Sequence, residues 1–141
     1  MVELNLNDLD GVSGGVSGGT VAAQGSFVSN TGTYLNILVN WASVVDAAGR
    51  KTLEVTVYSQ SYSLSSIAME TGVELTVNGA IYHGASNAVS YSGRAMANHL
   101  LASFSIRDLP GVVNLSAVWH FNGTYSGKAL GDIRAEATIT I

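Results

Sequence analysis

The chain has 141 residues, enough to bury a real core in one domain and too few for two. Charged residues make up 11 %, against roughly 25 % in a typical globular protein, while 47 % are apolar, which excludes a disordered chain. The formal net charge of −4, with basic residues adjacent only at Arg50-Lys51, argues against nucleic acid, because phosphate binding needs clustered Lys and Arg.

Other classes fall away for equally simple reasons. There is no apolar run of ~18 residues, so membrane insertion is not expected. Met1-Val2-Glu3 is acidic where a signal peptide would be basic, and no lipidation motif is present. There are no cysteines, which excludes disulfides and thiolate metal sites and suits folding in a reducing cytoplasm. No cofactor is implied, and no metal site.

Along the chain, residues 1–19 read as a flexible arm and 20–141 as one domain. Val2, Leu4, Leu6 and Leu9 supply the arm with apolar surface, and alternation at Val2, Leu4 and Leu6 suits a short strand added to a neighbour's sheet edge. The competing reading pairs this strand within its own chain. Val12-Ser13-Gly14-Gly15 is duplicated in Val16-Ser17-Gly18-Gly19, a Gly/Ser-rich spacer. Gly15-Val16-Ser17-Gly18-Gly19 has the G-x-S-x-G form of a nucleophile elbow but lacks the following helix, so linker is preferred. Asn5, Asn7, Asp8 and Asp10 resemble an oxygen-ligand Ca²⁺ loop, but Leu9 breaks the alternation and no Glu follows at the right distance, so turn chemistry is preferred.

From Thr20 on the dominant period is two. An early strand is expected over Thr20 to Val28. Leu35, Ile37, Val39 and Trp41 then alternate with Tyr34, Asn36, Leu38 and Asn40, and after a break at Asp46 to Arg50, Leu53, Val55 and Val57 alternate with Glu54, Thr56 and Tyr58. Val73, Leu75 and Val77 run into Asn78-Gly79, the strongest short hairpin signal, because a type I′ turn needs φ > 0 at both positions. Leu100, Ala102, Phe104 and Ile106 form a further strand. Val113, Leu115, Ala117, Trp119 and Phe121 form another, and Ile133, Ala135, Ala137, Ile139 and Ile141 the last. Arg94 to Leu101, the best helix candidate, reads as a turn entering a strand. One apolar and one polar face, repeated about eight times, predicts an all-β antiparallel two-sheet sandwich of immunoglobulin-like or jelly-roll-like type. Trp41, Val39, Val55, Leu115, Trp119 and Ile139 are expected in its core.

Candidate site residues are few. His83, His99 and His120 lie in no metal-ligand motif, and a solvated strand face is the preferred account over a His-carboxylate or triad arrangement. Tyr58, Gln60 and Tyr62 share the polar face of one strand and are the candidate ligand or partner surface; ordinary cross-strand packing is the alternative for any single tyrosine. Tyr82 and Tyr91 lie near turns. Asn114-Leu115-Ser116 and Asn122-Gly123-Thr124 are sequons by pattern only.

The C-terminal half carries a family resemblance. Val73-Glu-Leu-Thr-Val-Asn-Gly-Ala-Ile-Tyr82 is followed by strands at Leu100 to Ile106 and Val113 to Phe121, then Phe121-Asn-Gly-Thr-Tyr-Ser-Gly127 and Leu130-Gly-Asp-Ile133. This arrangement resembles the repeated β-sandwich domain of tail-associated structural proteins of siphovirus-type bacteriophages and prophages, over about Tyr34 to Ile141. Where that family often has an H-N-x-D-G-T turn, this chain has Arg107-Asp108-Leu109-Pro110-Gly111. The resemblance implies a virion structural role in the tail tip or host-attachment apparatus; the wider expectation is a homo-oligomer made in the bacterial cytoplasm, with other virion proteins as partners and a host-surface glycan as a candidate one. It carries over no binding residues. The expectation is a non-enzymatic tail-tip, host-attachment or decoration subunit; the alternative is a carbohydrate-binding module using Tyr58 and Tyr62.

Overall fold

A computed structural model describes residues 20–65 and 72–141. The expectations for the arm (Val2, Leu4, Leu6 and Leu9), the Gly/Ser repeat and the Ca²⁺-like loop lie outside the described residues. The described chain forms β1 (Thr20–Val28), β2 (Asn36–Val45), β3 (Lys51–Ser61), β4 (Leu64–Ser65), β5 (Gly72–Val77), β6 (Ala80–Ala85), β7 (Ser90–Tyr91), β8 (Ala97–Arg107), β9 (Val112–Trp119), β10 (Thr124–Tyr125), β11 (Lys128–Ala129) and β12 (Ile133–Thr140), with no helix among the described residues.

Two antiparallel four-stranded sheets carry the architecture, ordered β1-β2-β3-β8 and β12-β9-β5-β6. β12 lies against β1 and β2 while β6 lies against β8, so the sheets stack as a sandwich. The all-β, two-sheet expectation is met. Alternation explains the stacking: Leu53, Val55 and Val57 of β3, Val73, Leu75 and Val77 of β5, and Val113, Leu115 and Ala117 of β9 all point into one core. Fully burying each such side chain contributes about 1.5–3 kcal/mol.

Turn chemistry sets the registers. Asp46 Oδ1 accepts hydrogen bonds from the backbone N–H groups of Ala48 and Arg50, both at 2.9 Å, closing the β2–β3 turn. Those backbone donors, Arg50's first, hold the Asp46 carboxyl below its ordinary range. Asn78 and Gly79 have φ of 49° and 90°, the pattern of the predicted type I′ turn, and they join β5 to β6 without a register shift.

Two expectations need correction. Trp41 is only partly buried, unlike Val39, Val55, Leu115, Trp119 and Ile139. It points inward but stands opposite Gly25 on the edge strand β1, and its indole lies 3.0 Å from where a Cβ on Gly25 would be. The alternation drawn through Leu100, Ala102, Phe104 and Ile106 holds for the last three but fails at Leu100. A bulge opposite Val57 and Tyr58 shifts the β3–β8 register, so Leu101 and Ala102 are both buried while Leu100 turns to the outside, 42 % exposed.

Candidate functional site

The outer face of the first sheet is the most distinctive surface. Cross-strand partners in an antiparallel ladder share a face, so the register arranges outward side chains in rows. One row crosses all four strands: Val28, Leu38, Tyr58 and Leu100, each the partner of the next. It is wholly aliphatic and aromatic, and Val28 remains 53 % exposed. The adjoining row is Asn36, Gln60 and Asn98, all amides.

Beyond them, at the sheet end, stands an aromatic pair. Tyr34 and Tyr62 meet edge to face, with ring centroids 5.2 Å apart at 77°. Asn36 braces the loop that presents Tyr34. Its Oδ1 accepts from Ser29 Oγ at 2.8 Å and from the Thr31 N–H at 3.1 Å, while its Nδ2 donates to the Thr33 carbonyl at 3.2 Å. Tyr34 is consequently held out at 64 % exposure. Tyr58 and Gln60 therefore occupy the outer face, as their phase predicts, and Tyr62 lies just past the end of β3.

Sequence reasoning missed Val28, Tyr34, Leu38 and Leu100 as neighbours of those three. A signal existed for Leu38, an apolar residue standing in the polar phase of its strand; Leu100 was hidden by the bulge.

Among the described residues, charge on this face is confined to its other half. A polar row, Ser26, Asn40, Thr56 and Ser103, separates the apolar row from Glu54 and Arg107. Glu54 accepts a hydrogen bond from Ser105 Oγ at 3.1 Å. Partial burial raises its carboxyl above the ordinary value despite that bond and the nearby Arg107.

Two other clusters are built by register rather than by spacing. On the outer face of the second sheet, Glu74 Oε2 lies 3.5 Å from His83 Nδ1 and 3.5 Å from His120 Nε2, and His120 Nδ1 lies 3.2 Å from Asp132. His83 is the cross-strand partner of Glu74, and the His120 N–H bonds the Gly72 carbonyl at 2.9 Å, which brings both rings to one carboxylate. These side chains are open to solvent, with Glu74 38 % and His83 72 % exposed, so the contacts act as weak surface pairs. Among the described residues no group of three His, Cys, Asp or Glu is disposed to hold a metal ion.

The third group is internal, the cross-strand pair Ser59 and His99. Among the described residues Ser59 Oγ and His99 Nε2, like Ser43 Oγ, Ser61 Oγ and Trp119 Nε1, are buried without a hydrogen-bond partner. Each such atom costs about 1–3 kcal/mol. A serine beside a histidine is reactive only where substrate can reach it, and Ser59 is fully enclosed.

The chain matches no family model, no curated protein and no solved structure.

Proposed function

We propose that this chain is a non-enzymatic structural subunit of a bacteriophage virion, a tail-tip, host-attachment or decoration protein that works by self-assembly and surface binding. The observation that carries this reading is the uncharged patch on the outer face of the first sheet. The Val28–Leu38–Tyr58–Leu100 row supplies apolar contact area, and the Tyr34–Tyr62 pair with Gln60 and Asn98 supplies rigid rings and amides that give a contact direction. Low overall charge and the absence of cysteine are consistent with a subunit folded in the bacterial cytoplasm and then built into a particle.

Replacing Tyr58 and Tyr62 together with Ser tests it. Central tyrosines at an interface each contribute on the order of 2 kcal/mol, so binding to host cells or to a partner virion protein should weaken at least tenfold. The circular dichroism spectrum and the unfolding midpoint should stay close to those of the parent. Undiminished binding by a folded variant overturns the assignment of this face.

A second reading is favoured by the Tyr34–Tyr62 pair itself: a carbohydrate-binding module, with a ring stacking on a sugar and the neighbouring amides bonding its hydroxyls. Glycan-array binding by the isolated monomer, lost on Tyr34→Ser, would select that reading over the first.

A further inference from the structure

We infer that β6 is a self-docking edge: two copies of this chain pair antiparallel through it about a two-fold axis, with His83 opposite His83 of the second copy. The inference stands on β6 alone and uses nothing on the outer face of the first sheet.

A sandwich of two four-stranded sheets has four edge strands, and natural monomers disarm such edges with bulges, charges or prolines. Three of the four are disarmed here. β1 carries a register break between Val21 and Ala23. β8 has the bulge at Leu101 and ends in Arg107. β12 presents Arg134 and Glu136, and Lys51 Nζ donates to the Ile141 carbonyl just past its end. β6 has none of these devices. Its ladder with β5 is unbroken from Gly72 and Ala85 to Val77 and Ala80, and its sequence Ala-Ile-Tyr-His-Gly-Ala holds no Lys, Arg, Asp, Glu or Pro. Ile81 and Tyr82 stand 57 % and 38 % exposed, and no described strand pairs with its outer side.

The geometry selects one register. In a two-residue type I′ hairpin the residues flanking the turn bond each other, so Val77 pairs with Ala80, and by alternation Leu75 bonds Tyr82 and Val73 bonds Gly84. The other side of β5 agrees. Asn78 N–H donates to the Asn114 carbonyl and His120 N–H donates to the Gly72 carbonyl, which assigns the even-numbered residues of β5 to β9. The N–H and C=O groups of Ile81, His83 and Ala85 therefore point away from β5.

A copy placed with Ile81 opposite its Ala85, and His83 opposite its His83, satisfies all of those groups at once. That register also sets Tyr82 opposite Gly84 of the second copy at a non-hydrogen-bonded position, where side chains approach most closely and Gly84 adds no side chain of its own. Phe104 already lies across Gly84, 3.3 Å from where its Cβ would be, so the incoming tyrosine completes an aromatic contact. β6 brings no Lys, Arg, Asp or Glu to the junction, and the His83 that meets its own copy there keeps its own Glu74 at 3.5 Å.

The test exploits the absence of cysteine from the full chain. Residues in a hydrogen-bonded antiparallel pair have Cα atoms about 5.5 Å apart, within the disulfide range of roughly 4.4–6.8 Å. His83→Cys should therefore oxidise to a single covalent dimer at least tenfold faster than Tyr82→Cys, whose partner is Gly84, or than Thr138→Cys on the second sheet's outer face. Light scattering on the unaltered chain should rise with concentration toward twice the chain mass. His83→Pro should be monomeric with an unchanged strand spectrum, because it removes only an outward N–H and leaves the β5 ladder whole. A chain starting at Thr20 should still dimerise.

Four results overturn the inference: a parent that stays monomeric at high concentration, a folded His83→Pro that still dimerises, His83→Cys oxidising no faster than the controls, or dimerisation lost on removing residues 1–19. The last would make the N-terminal arm the occupant. Loss of cell binding in the tyrosine variants with dimerisation intact would leave β6 untouched, so the two proposals fail separately.

Discussion

The two outer faces of this sandwich arise from the same period-two alternation and end in opposite characters. On the second sheet, Val118 faces outward between Arg134 and Glu74 yet is only 6 % exposed, because long polar neighbours fold over it. Glu74, His83, His120 and Asp132 then tie that cover together. On the first sheet, Val28 and Leu100 flank Leu38 and Tyr58 with no charged side chain in the row to cover them. The difference teaches that exposure follows the composition of a row across strands, not the polarity of any one strand. The face left uncovered is the one suited to contact.

The comparison can be broken most sharply from inside. Trp119 backs the second sheet and is fully buried, whereas Trp41 backs the edge of the first and is not. Trp119→Ala should cost about 3–5 kcal/mol in denaturant unfolding, and Trp41→Ala clearly less. Equal losses would remove the asymmetry between the two backings.

A subtler difference lies in how each face holds its carboxylates. Because burial raises the Glu54 carboxyl, the folded state binds more protons than the unfolded chain between the ordinary carboxylate value and the raised one. Stability contributed by this residue therefore falls as pH rises through that window. Glu54→Gln should flatten the fall and leave the protein at least as stable at neutral pH, as measured by unfolding at a series of pH values. A steeper fall in the variant would contradict the burial. The smallest effect is expected on the second sheet, where Glu74→Gln severs two exposed 3.5 Å contacts and should change stability by less than about 1 kcal/mol. A larger loss would show that its polar cover braces the sheet.

Much of this was legible in the residues. Alternation placed the long strands because one face of each had to be dry, and Asn78-Gly79 marked its hairpin because two positive φ angles admit little else. What stayed hidden depended on register. Leu100 read as core until an extra residue at the bulge turned it outward and put Leu101 in its place. Trp41 read as core because phase says which face a side chain takes, not how near the sheet edge it stands. The approach of His83 and His120 to Glu74 joins three separate strand regions, and no linear spacing announces it. Tyr58, Gln60 and Tyr62 were visible as a set because they lie along one strand; their neighbours Tyr34, Leu38 and Leu100 come from others.

The pairing of β3 with β8 also governs the order in which the molecule is made. β1, β2 and β3 form a local meander, but the contact between Glu54 and Ser105 spans 51 positions, with β5 and β6 of the other sheet lying between. Closing so long a loop costs entropy before any ladder bond is gained, so local hairpins form early and this seam late. During synthesis β3 waits as an open edge until Ala97 to Arg107 leave the ribosome. Val28, Leu38 and Tyr58 line up first, and Leu100 closes their row last. The uncharged patch on this outer face is thus completed only after the rest of its sheet, which keeps an unfinished chain from presenting it whole.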